Sequence, residues 1–291
     1  MSNDNISVQE GVVFGTGGGR DLKCDVITPA GADNAPAVLV LHGGGWRGGS
    51  RDRVRDHCFA MARHGFVAVA GEYRLTPESP WPAQIHDVKA NIRWMRANAA
   101  ALRIDPNRIA AEGNSAGAHL ALLAAGTPGK PEFEGDGGNP GVPSELQAVA
   151  ALFPPVLFQV SREKLSGAVP ATGLLGEAAS EEAARAASPI TYAAAGFPPT
   201  FLLHGTADRL VPPSASMRMY EALIAAGAPV EMKMYHGVPH EFVRLPSMMD
   251  EVHAELASFF RRTMVAKEAF GAELDEFNKA WAAMRQAAPA R

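Results

Sequence analysis

The fold is decided by the stretch Ile109-Ala110-Ala111-Glu112-Gly113-Asn114-Ser115-Ala116-Gly117-Ala118-His119-Leu120-Ala121-Leu122-Leu123. Its first residues form an apolar strand, its last residues follow a helical pattern, and Gly113 to Gly117 make a sharp turn between them. Such a turn strains the backbone of its central serine, and only small residues two positions either side permit it. The serine hydroxyl then lies at a helix N-terminus, where free N–H groups favour developing negative charge. The stretch therefore predicts Ser115 as a nucleophile.

Short apolar runs alternate with amphipathic stretches on both sides of this unit. This pattern is typical of an α/β fold, in which a mostly parallel sheet has helices on both faces. The candidate inner strands are Ala37 to Leu41, Phe66 to Ala70, Arg108 to Glu112, Ala148 to Phe153, Thr200 to His204 and Val230 to Tyr235. The clearest helix runs from Gln84 to Ala100, because its apolar residues repeat at helical spacing.

The chain divides into a main body and a tail. We assign residues 1–262 to one catalytic domain, which begins with a β-hairpin from Val8 to Pro29 and carries a small helical insertion at about 156–190. Residues 127–143 are rich in Gly and Pro and are predicted to form a surface loop. Residues 263–291 are predicted to be a C-terminal amphipathic helical extension.

The tail carries one strongly apolar stripe. Its members, spaced for one helix face, are Phe270, Leu274, Phe277, Trp281 and Met284. We expect this stripe to dock onto the protein's own body, and a homodimer through the C-terminal helix is the alternative.

Composition narrows the classes of function. The chain has 291 residues, 47% of them hydrophobic and 20% charged, which suits one sizeable domain. A net charge of −4 and a pI near 6.1 provide no basic surface for phosphate backbones, so nucleic acid is not an expected partner. The cysteines, Cys24 and Cys58, fall within ordinary strand or helix patterns and do not form a closely spaced pair, so no disulfide framework or zinc site is expected. Met1 to Glu10 lack a signal-peptide pattern and no apolar run could span a bilayer, so we expect a soluble, cytoplasmic protein with no membrane partner.

A glycine-rich loop, His42-Gly43-Gly44-Gly45-Trp46, directly follows a predicted strand. Acyl transfer passes through an oxyanion that pre-aimed backbone N–H groups stabilise, and glycines let the backbone approach closely. We therefore assign the oxyanion hole to the N–H groups of Gly44, Gly45 and Ala116. His42 is expected to hold this loop by hydrogen bonding.

The same loop also matches a dinucleotide-binding fingerprint. Gly43, Gly45 and Gly48 have the required spacing, and Glu72 ends the next strand, where a ribose-binding acid would lie. An NAD(P)-binding oxidoreductase is therefore a distant alternative. Bulky Trp46 between the glycines and the late position of the acid argue against it.

A serine nucleophile needs a base, and the base needs an acid that orients it. In a chain of this architecture the order is Ser, then Asp or Glu, then His. Asp208 and His240 each follow a predicted strand in that order, so they complete the predicted triad. The rival bases are His236, which follows its strand too closely, and His253, which lies in a helical pattern. Asp250 and Glu251 come after His240 and are therefore out of order as the triad acid. His86 and Asp87 form a dyad on the amphipathic helix with an expected structural role, and His57 and His64 are expected to be surface or core histidines.

Together these motifs resemble the carboxylesterases of the α/β-hydrolase superfamily, close to the bifunctional acetylesterase/feruloyl-esterase (BD-FAE-like) and hormone-sensitive-lipase-like groups. The resemblance spans about Asp21 to Phe260. Its marks are the glycine loop and Ser115 turn, Tyr73-Arg74-Leu75, Pro80-x-Pro82-Ala83-Gln84, Ile85 to Lys89, Gly138 to Val142, Ala187 to Tyr192 and the Asp208 loop. It implies an α/β-hydrolase fold without a large lid and no metal or organic cofactor.

The resemblance also implies a substrate class, namely small short-acyl or aryl esters of the acetyl or feruloyl type. Amide hydrolysis, by a kynurenine-formamidase-like enzyme or a peptidase, is the alternative, and a non-catalytic binding module is a distant one. Candidate pocket walls are Trp46, Trp81, Phe153 and Leu210. The chain departs from the family where Glu241 replaces the small residue usual after the catalytic histidine, where Ala118 replaces a glycine, and at Pro154-Pro155.

Overall fold

The apolar runs form an eight-stranded sheet in the computed structural model, which describes residues 5–76, 78–161 and 165–287. The strands of these residues are β1 (Ile6–Gly17), β2 (Arg20–Pro29), β3 (Ala35–Leu41), β4 (Val67–Gly71), β5 (Ile104–Asn114), β6 (Ala148–Leu152), β7 (Phe158–Gln159), β8 (Val169–Pro170), β9 (Thr200–Gly205) and β10 (Val230–Tyr235). The main sheet has the order β1-β2-β4-β3-β5-β6-β9-β10, while β7 and β8 pair separately. The six strands β4, β3, β5, β6, β9 and β10 pair in parallel, and β2 is antiparallel to both its neighbours, β1 and β4. The predicted fold class is confirmed.

Helices cover both faces of this sheet. The helices of the described residues are α1 (Arg55–Arg63), α2 (Ala83–Ala97), α3 (Ala99–Leu102), α4 (Ala116–Gly126), α5 (Pro131–Glu134), α6 (Thr172–Leu175), α7 (Glu181–Ala187), α8 (Ser214–Ala225), α9 (Pro246–Phe260) and α10 (Lys267–Ala287), with 3₁₀ turns at Arg51–Val54, Gly176–Ala178, Pro189–Tyr192 and Phe242–Arg244 and a π-helical turn at Arg261–Val265. Residues of α2, α4 and α8 share one apolar cluster with the sheet, and residues of α1 and α9 share the other.

Strand β3 shows why the sequences of the inner strands are continuous apolar runs. Leu39 and Leu41 belong to the cluster with α2 and α4, whereas Val38 and Val40 belong to the cluster with α1 and α9. Successive side chains of a strand point to opposite faces, so a strand covered on both sides has no solvent-facing position.

Two predicted irregular regions contain more structure than expected. The surface loop at 127–143 includes α5, whose Phe133 is buried beside Trp81 and Tyr192. The helical insertion at about 156–190 also contains the β7–β8 pair. Single apolar residues and two-residue strands leave no periodic pattern in the sequence, so tertiary packing alone defines them.

The prediction that the tail docks onto the body is wrong. In α10 the exposed fractions are 45% for Leu274, 61% for Phe277, 52% for Trp281 and 59% for Met284. Phe277 and Trp281 stack on each other with ring centroids 6.2 Å apart. Periodicity predicts which residues share a face, but it does not say what that face contacts. Among the described helices, α10 included, none has both the length and the apolarity of a bilayer span.

Candidate active site

Ser115 lies on the sharp turn between β5 and α4. Its backbone has φ 51° and ψ −114°, a strained conformation for a residue with a side chain. A Cβ added to Gly113 would lie 2.3 Å from the carbonyl carbon of Gly117, and one added to Gly117 would lie 2.2 Å from the Leu41 carbonyl oxygen. Both glycines are therefore required, and Ser115 has the conformation that the sequence predicts.

The glycine loop after β3 presents unused N–H groups beside Ser115. Gly44 and Gly45 have φ of 132° and 60°. Within the described residues, neither N–H donates to a protein acceptor, and Ala116 has no intrahelical acceptor because it begins α4. A Cβ built on Gly43 would lie 3.3 Å from Ser115 Cβ, so this loop and the serine are in contact. Among the described residues, the three N–H groups predicted for the oxyanion hole therefore have no protein acceptor.

His42 anchors this loop, as predicted from its position. Its ring Nδ1 donates to the Gly43 carbonyl at 2.8 Å, and its own carbonyl accepts from the Tyr73 hydroxyl at 2.8 Å. The imidazole stacks on the Tyr73 ring with centroids 4.3 Å apart. Burial lowers the pKa of His42, which keeps the ring neutral.

Asp208 and His240 are in direct contact. His240 Nδ1 donates to Asp208 Oδ2 at 2.5 Å, and Asp208 Oδ1 accepts from the N–H groups of Leu210 and Val211 at 2.8 and 3.0 Å. Burial by itself would raise the pKa of the Asp208 carboxyl. Hydrogen bonds from His204, His240 and Val211 outweigh that effect and hold this pKa well below its usual range. Asp208 is therefore an anion that orients the His240 ring.

A second histidine, His204, supports the same carboxylate and was missed from the sequence. Its Nε2 lies 3.0 Å from the Val211 carbonyl and 3.2 Å from Asp208 Oδ2, so this nitrogen carries the proton. Its Nδ1 accepts from the Ser216 hydroxyl at 2.7 Å. The available signal was its position at the end of β9, four residues before Asp208. Spacing alone, however, does not show where the ring points.

The other nitrogen of His240, Nε2, is buried and has no hydrogen-bond partner among the described residues, so Ser115 does not hydrogen-bond to it in this structure. The ring packs on Phe153, with centroids 4.6 Å apart. Of the rival bases, His236 is exposed and His253 is buried in the separate cluster of histidines described below.

The four candidate pocket residues lie in different environments. Trp46 is a core residue: its Nε1 donates to His119 Nδ1 at 3.1 Å, and burial lowers the pKa of His119 to about 4, so that nitrogen accepts. Trp81 is half-buried near the same ring, and Phe153 is fully buried beneath His240. Leu210 is 70% exposed. It lines a cavity of about 400 Å³ together with apolar residues of the segment 165–170.

A buried cluster outside the predicted site contains groups that could ligate a metal. His57 Nδ1 lies 2.9 Å and His253 Nε2 lies 3.1 Å from Glu112 Oε1. His253 Nδ1 donates to the Met249 carbonyl at 2.7 Å, so its Nε2 needs a second proton to donate to Glu112. Burial would lower the pKa of His253 and raise that of Glu112. Their mutual attraction prevails, raising the pKa of His253 and lowering that of Glu112 to about 2. An imidazolium–carboxylate pair thus accounts for these contacts.

This histidine–glutamate cluster was also missed from the sequence, although it adjoins the serine turn. His57 Nε2 lies 3.2 Å from Asn114 Nδ2, and Asn114 directly precedes Ser115. The cluster joins α1 and α9 to the end of β5. Its contacts stabilise the end of β5, which directly precedes Ser115.

The acidic residues of the two alternative motifs, Glu72 of the dinucleotide-binding motif and Asp87 of the dyad with His86, have structural partners. The Glu72 carboxylate accepts from Arg20 at 2.8 Å and from Arg51 at 3.0 Å, so it is already neutralised. Asp87 accepts from the Arg74 side chain at 2.7 Å, and His86 Nε2 donates to the Glu132 carbonyl at 3.0 Å. These residues hold the scaffold together, as expected for the dyad on α2.

Comparison with known proteins shows that the chain is similar to a family of hydrolases. The BD-FAE family model matches residues 24–223, more than half of the chain. Esterase LipQ of Mycobacterium tuberculosis is 32% identical over 266 residues, which cover 84% of this chain and 59% of LipQ. The probable carboxylic ester hydrolase LipM of the same organism is 33% identical over 194 residues, covering 61% of this chain and 42% of LipM. The chain therefore spans only about half the length of these curated relatives.

Solved structures agree over most of the chain. A truncated carbohydrate esterase from gut microbiota superposes with a TM-score of 0.79 at 25% identity, covering 91% of this chain and 99% of that one. Esterase 2 of Thermogutta terrifontis gives a TM-score of 0.75 at 30% identity, covering 92% of this chain and 94% of that one. The chain belongs to the BD-FAE family and has the α/β-hydrolase fold of these esterases.

Proposed function

We propose that this protein is a serine carboxylesterase that uses Ser115, His240 and Asp208 as its catalytic triad. The observation that carries the proposal is the Asp208–His240 contact of 2.5 Å, at the same sheet edge as a strained serine. Gly44, Gly45 and Ala116 are proposed to form the oxyanion hole. Their unused N–H groups and their proximity to Ser115 support that assignment.

The proposed cycle has two halves. In the first, the Ser115 hydroxyl oxygen attacks the ester carbonyl while His240 Nε2 takes the hydroxyl proton. The tetrahedral intermediate then collapses, the bond to the alcohol breaks, and His240 returns the proton to the leaving alcohol. In the second half, water adds to the acyl-enzyme with His240 again as base, which releases the carboxylic acid and regenerates the serine.

Charge stabilisation is divided between two groups of residues. Asp208 stabilises the imidazolium that forms when His240 takes a proton, because its carboxylate is already anionic. The three N–H groups stabilise the oxyanion, and a single such donor contributes about 3 to 4 kcal/mol in well-studied hydrolases. Both groups exist before substrate binds, so charge stabilisation itself needs little reorganisation. The hydrogen bond from the Ser115 hydroxyl to His240 Nε2, which is absent here, has to form first.

The proposed substrates are short-acyl or aryl esters of the acetyl or feruloyl type. Structures of the Thermogutta esterase with bound butyrate and propionate support a short acyl group. The similarity to a carbohydrate esterase supports acyl groups attached to sugars. The described part of the insertion consists of short elements, the longest of them α7 with seven residues, which also favours an open site over one for long lipids.

Covalent labelling tests the proposal directly. A fluorophosphonate should modify Ser115, as located by peptide mass spectrometry, and Ser115→Ala should abolish labelling and lower kcat roughly 10⁴- to 10⁶-fold. Ser144→Ala is a matched control, because Ser144 is a buried serine whose hydroxyl donates to Glu134 and to no residue of the proposed triad. Absence of labelling in the wild-type protein would contradict the proposal and favour a non-catalytic binding module.

A substrate panel separates ester from amide hydrolysis. We expect turnover of p-nitrophenyl acetate, methyl ferulate and acetylated xylan. Preferential turnover of N-formylkynurenine or an aminoacyl anilide would contradict the assignment of ester substrates. It would not contradict the proposed catalytic triad.

A further inference from the structure

Glu241 brings a carboxylate to the proposed catalytic serine. This residue directly follows His240 and has a left-handed backbone with φ 58°, where a residue with a side chain is uncommon. Its Oε1 lies 3.5 Å from a Cβ built on Gly43, and the same position lies 3.3 Å from Ser115 Cβ. The carboxylate and the nucleophile thus flank the same glycine of the oxyanion loop.

The charge of this carboxylate is only weakly compensated. Glu241 Oε2 accepts from Arg244 Nη1 at 3.2 Å, and the Arg244 side chain is 60% exposed. An exposed ion pair of this kind is strongly screened by water and contributes little attraction. Near Ser115, by contrast, a bound ester displaces water, so the charge of Glu241 acts more strongly there than on the solvent side.

We propose that Glu241 is a specificity-determining residue, which makes the site favour esters that are cationic near the scissile carbonyl and disfavour anionic ones. The inference deepens the proposed esterase function and rests on it. A carboxylate a few ångströms from the reacting centre attracts a positive substrate group and repels a negative one. At the effective dielectric constants of a protein surface, one such charge changes a rate by roughly 3- to 30-fold.

A pair of isosteric substrates isolates this charge effect. Acetylcholine and 3,3-dimethylbutyl acetate share shape and acyl group, but only the first carries a positive charge. Glu241 also raises the barrier for every ester, because it repels the oxyanion, and that effect cancels in the ratio of the two kcat/KM values. In Glu241→Gln we expect this ratio, charged over neutral, to fall roughly tenfold relative to wild type.

Two further variants test whether the local charge of Glu241 determines the ratio of the two kcat/KM values. Arg244→Gln should raise the ratio, because it removes the cation that partly neutralises Glu241. Glu231→Gln is the matched control, since Glu231 also pairs with an arginine, Arg262, but lies at the opposite end of β10. It changes the net charge equally and should leave the ratio unchanged.

The outcomes distinguish this inference from the proposed function. An unchanged ratio in Glu241→Gln, with turnover of the neutral ester retained, would overturn the inference and leave the esterase function standing. A wild-type protein that hydrolyses neither ester would overturn both. If Glu241→Gln did not fold, Glu241→Gly would give the same test, because glycine adopts this backbone conformation readily.

Discussion

Asp208 Oδ2 lies 2.5 Å from His240 Nδ1, and this contact joins the loops after β9 and β10, which are neighbouring parallel strands. Each loop leaves the carboxyl end of its strand, the edge where open α/β sheets bind ligands. The pair is 32 residues apart in sequence, yet the register of the two strands places both loops side by side.

Asp208→Asn should lower kcat about 10³- to 10⁴-fold with little change in KM, because an amide cannot stabilise the imidazolium and can select the wrong tautomer of His240. Initial-rate kinetics on p-nitrophenyl acetate measure the effect. Asp250→Asn is the control: Asp250 is an exposed aspartate paired with Arg63 and should retain full activity. An Asp208→Asn variant with near wild-type kcat would rule out the proposed triad acid.

His204→Leu should lower kcat roughly tenfold, because the Asp208 carboxylate loses a hydrogen-bond donor that helps hold it in place. His204→Gln can still donate to Asp208 and should recover most of the rate. Steady-state kinetics of the two variants, with thermal melting to confirm folding, provide the comparison. Equal losses in both would show that ring packing matters and the hydrogen bond does not.

Glu112→Gln should destabilise the fold by about 2 to 4 kcal/mol near pH 5.5, because it breaks a buried charged pair. The lowered pKa of Glu112, about 2 against an ordinary 4.5, means its contribution is present above pH 4.5 and is lost as pH falls further. The raised pKa of His253, ordinarily 6.5, means its contribution is present below pH 6.5 and is lost as pH rises through the higher folded value.

The difference in unfolding free energy between wild type and Glu112→Gln should therefore be largest between about pH 4.5 and 6.5. Urea unfolding at a series of pH values measures it. Glu251→Gln, an exposed change on the same helix as His253, should shift stability by less than about 0.5 kcal/mol. A pH-independent difference would mean that the pair is not ionised.

We propose that the exposed stripe of α10 contacts a second copy of the chain, the alternative left after self-docking. Light scattering should then give a dimer mass for the full chain and a monomer mass for a chain ending at Val265. The double change Phe277→Glu and Trp281→Glu should act like the truncation, while ester hydrolysis stays unchanged because α10 contains none of the proposed catalytic residues. A monomeric full chain would contradict the proposal.

The sequence by itself determined the parts of this protein that depend on local chemistry. The Ser115 turn needs small neighbours within two residues, the inner strands need apolar side chains on both faces, and the oxyanion loop needs glycines. The order of Ser115, Asp208 and His240 along the chain was also readable, because a parallel sheet places the loops after its strands at one edge. Each of these constraints is visible within a short window or follows from strand order.

Only the tertiary structure decided which distant side chains meet. It turned His204 toward Asp208, brought His57 and His253 to Glu112 from two helices, and directed Trp46 into the core. It also left the stripe of α10 uncovered and brought Glu241 beside Gly43. Side-chain direction and the partner of an apolar face depend on packing between elements far apart in the chain, and no spacing along the sequence encodes them.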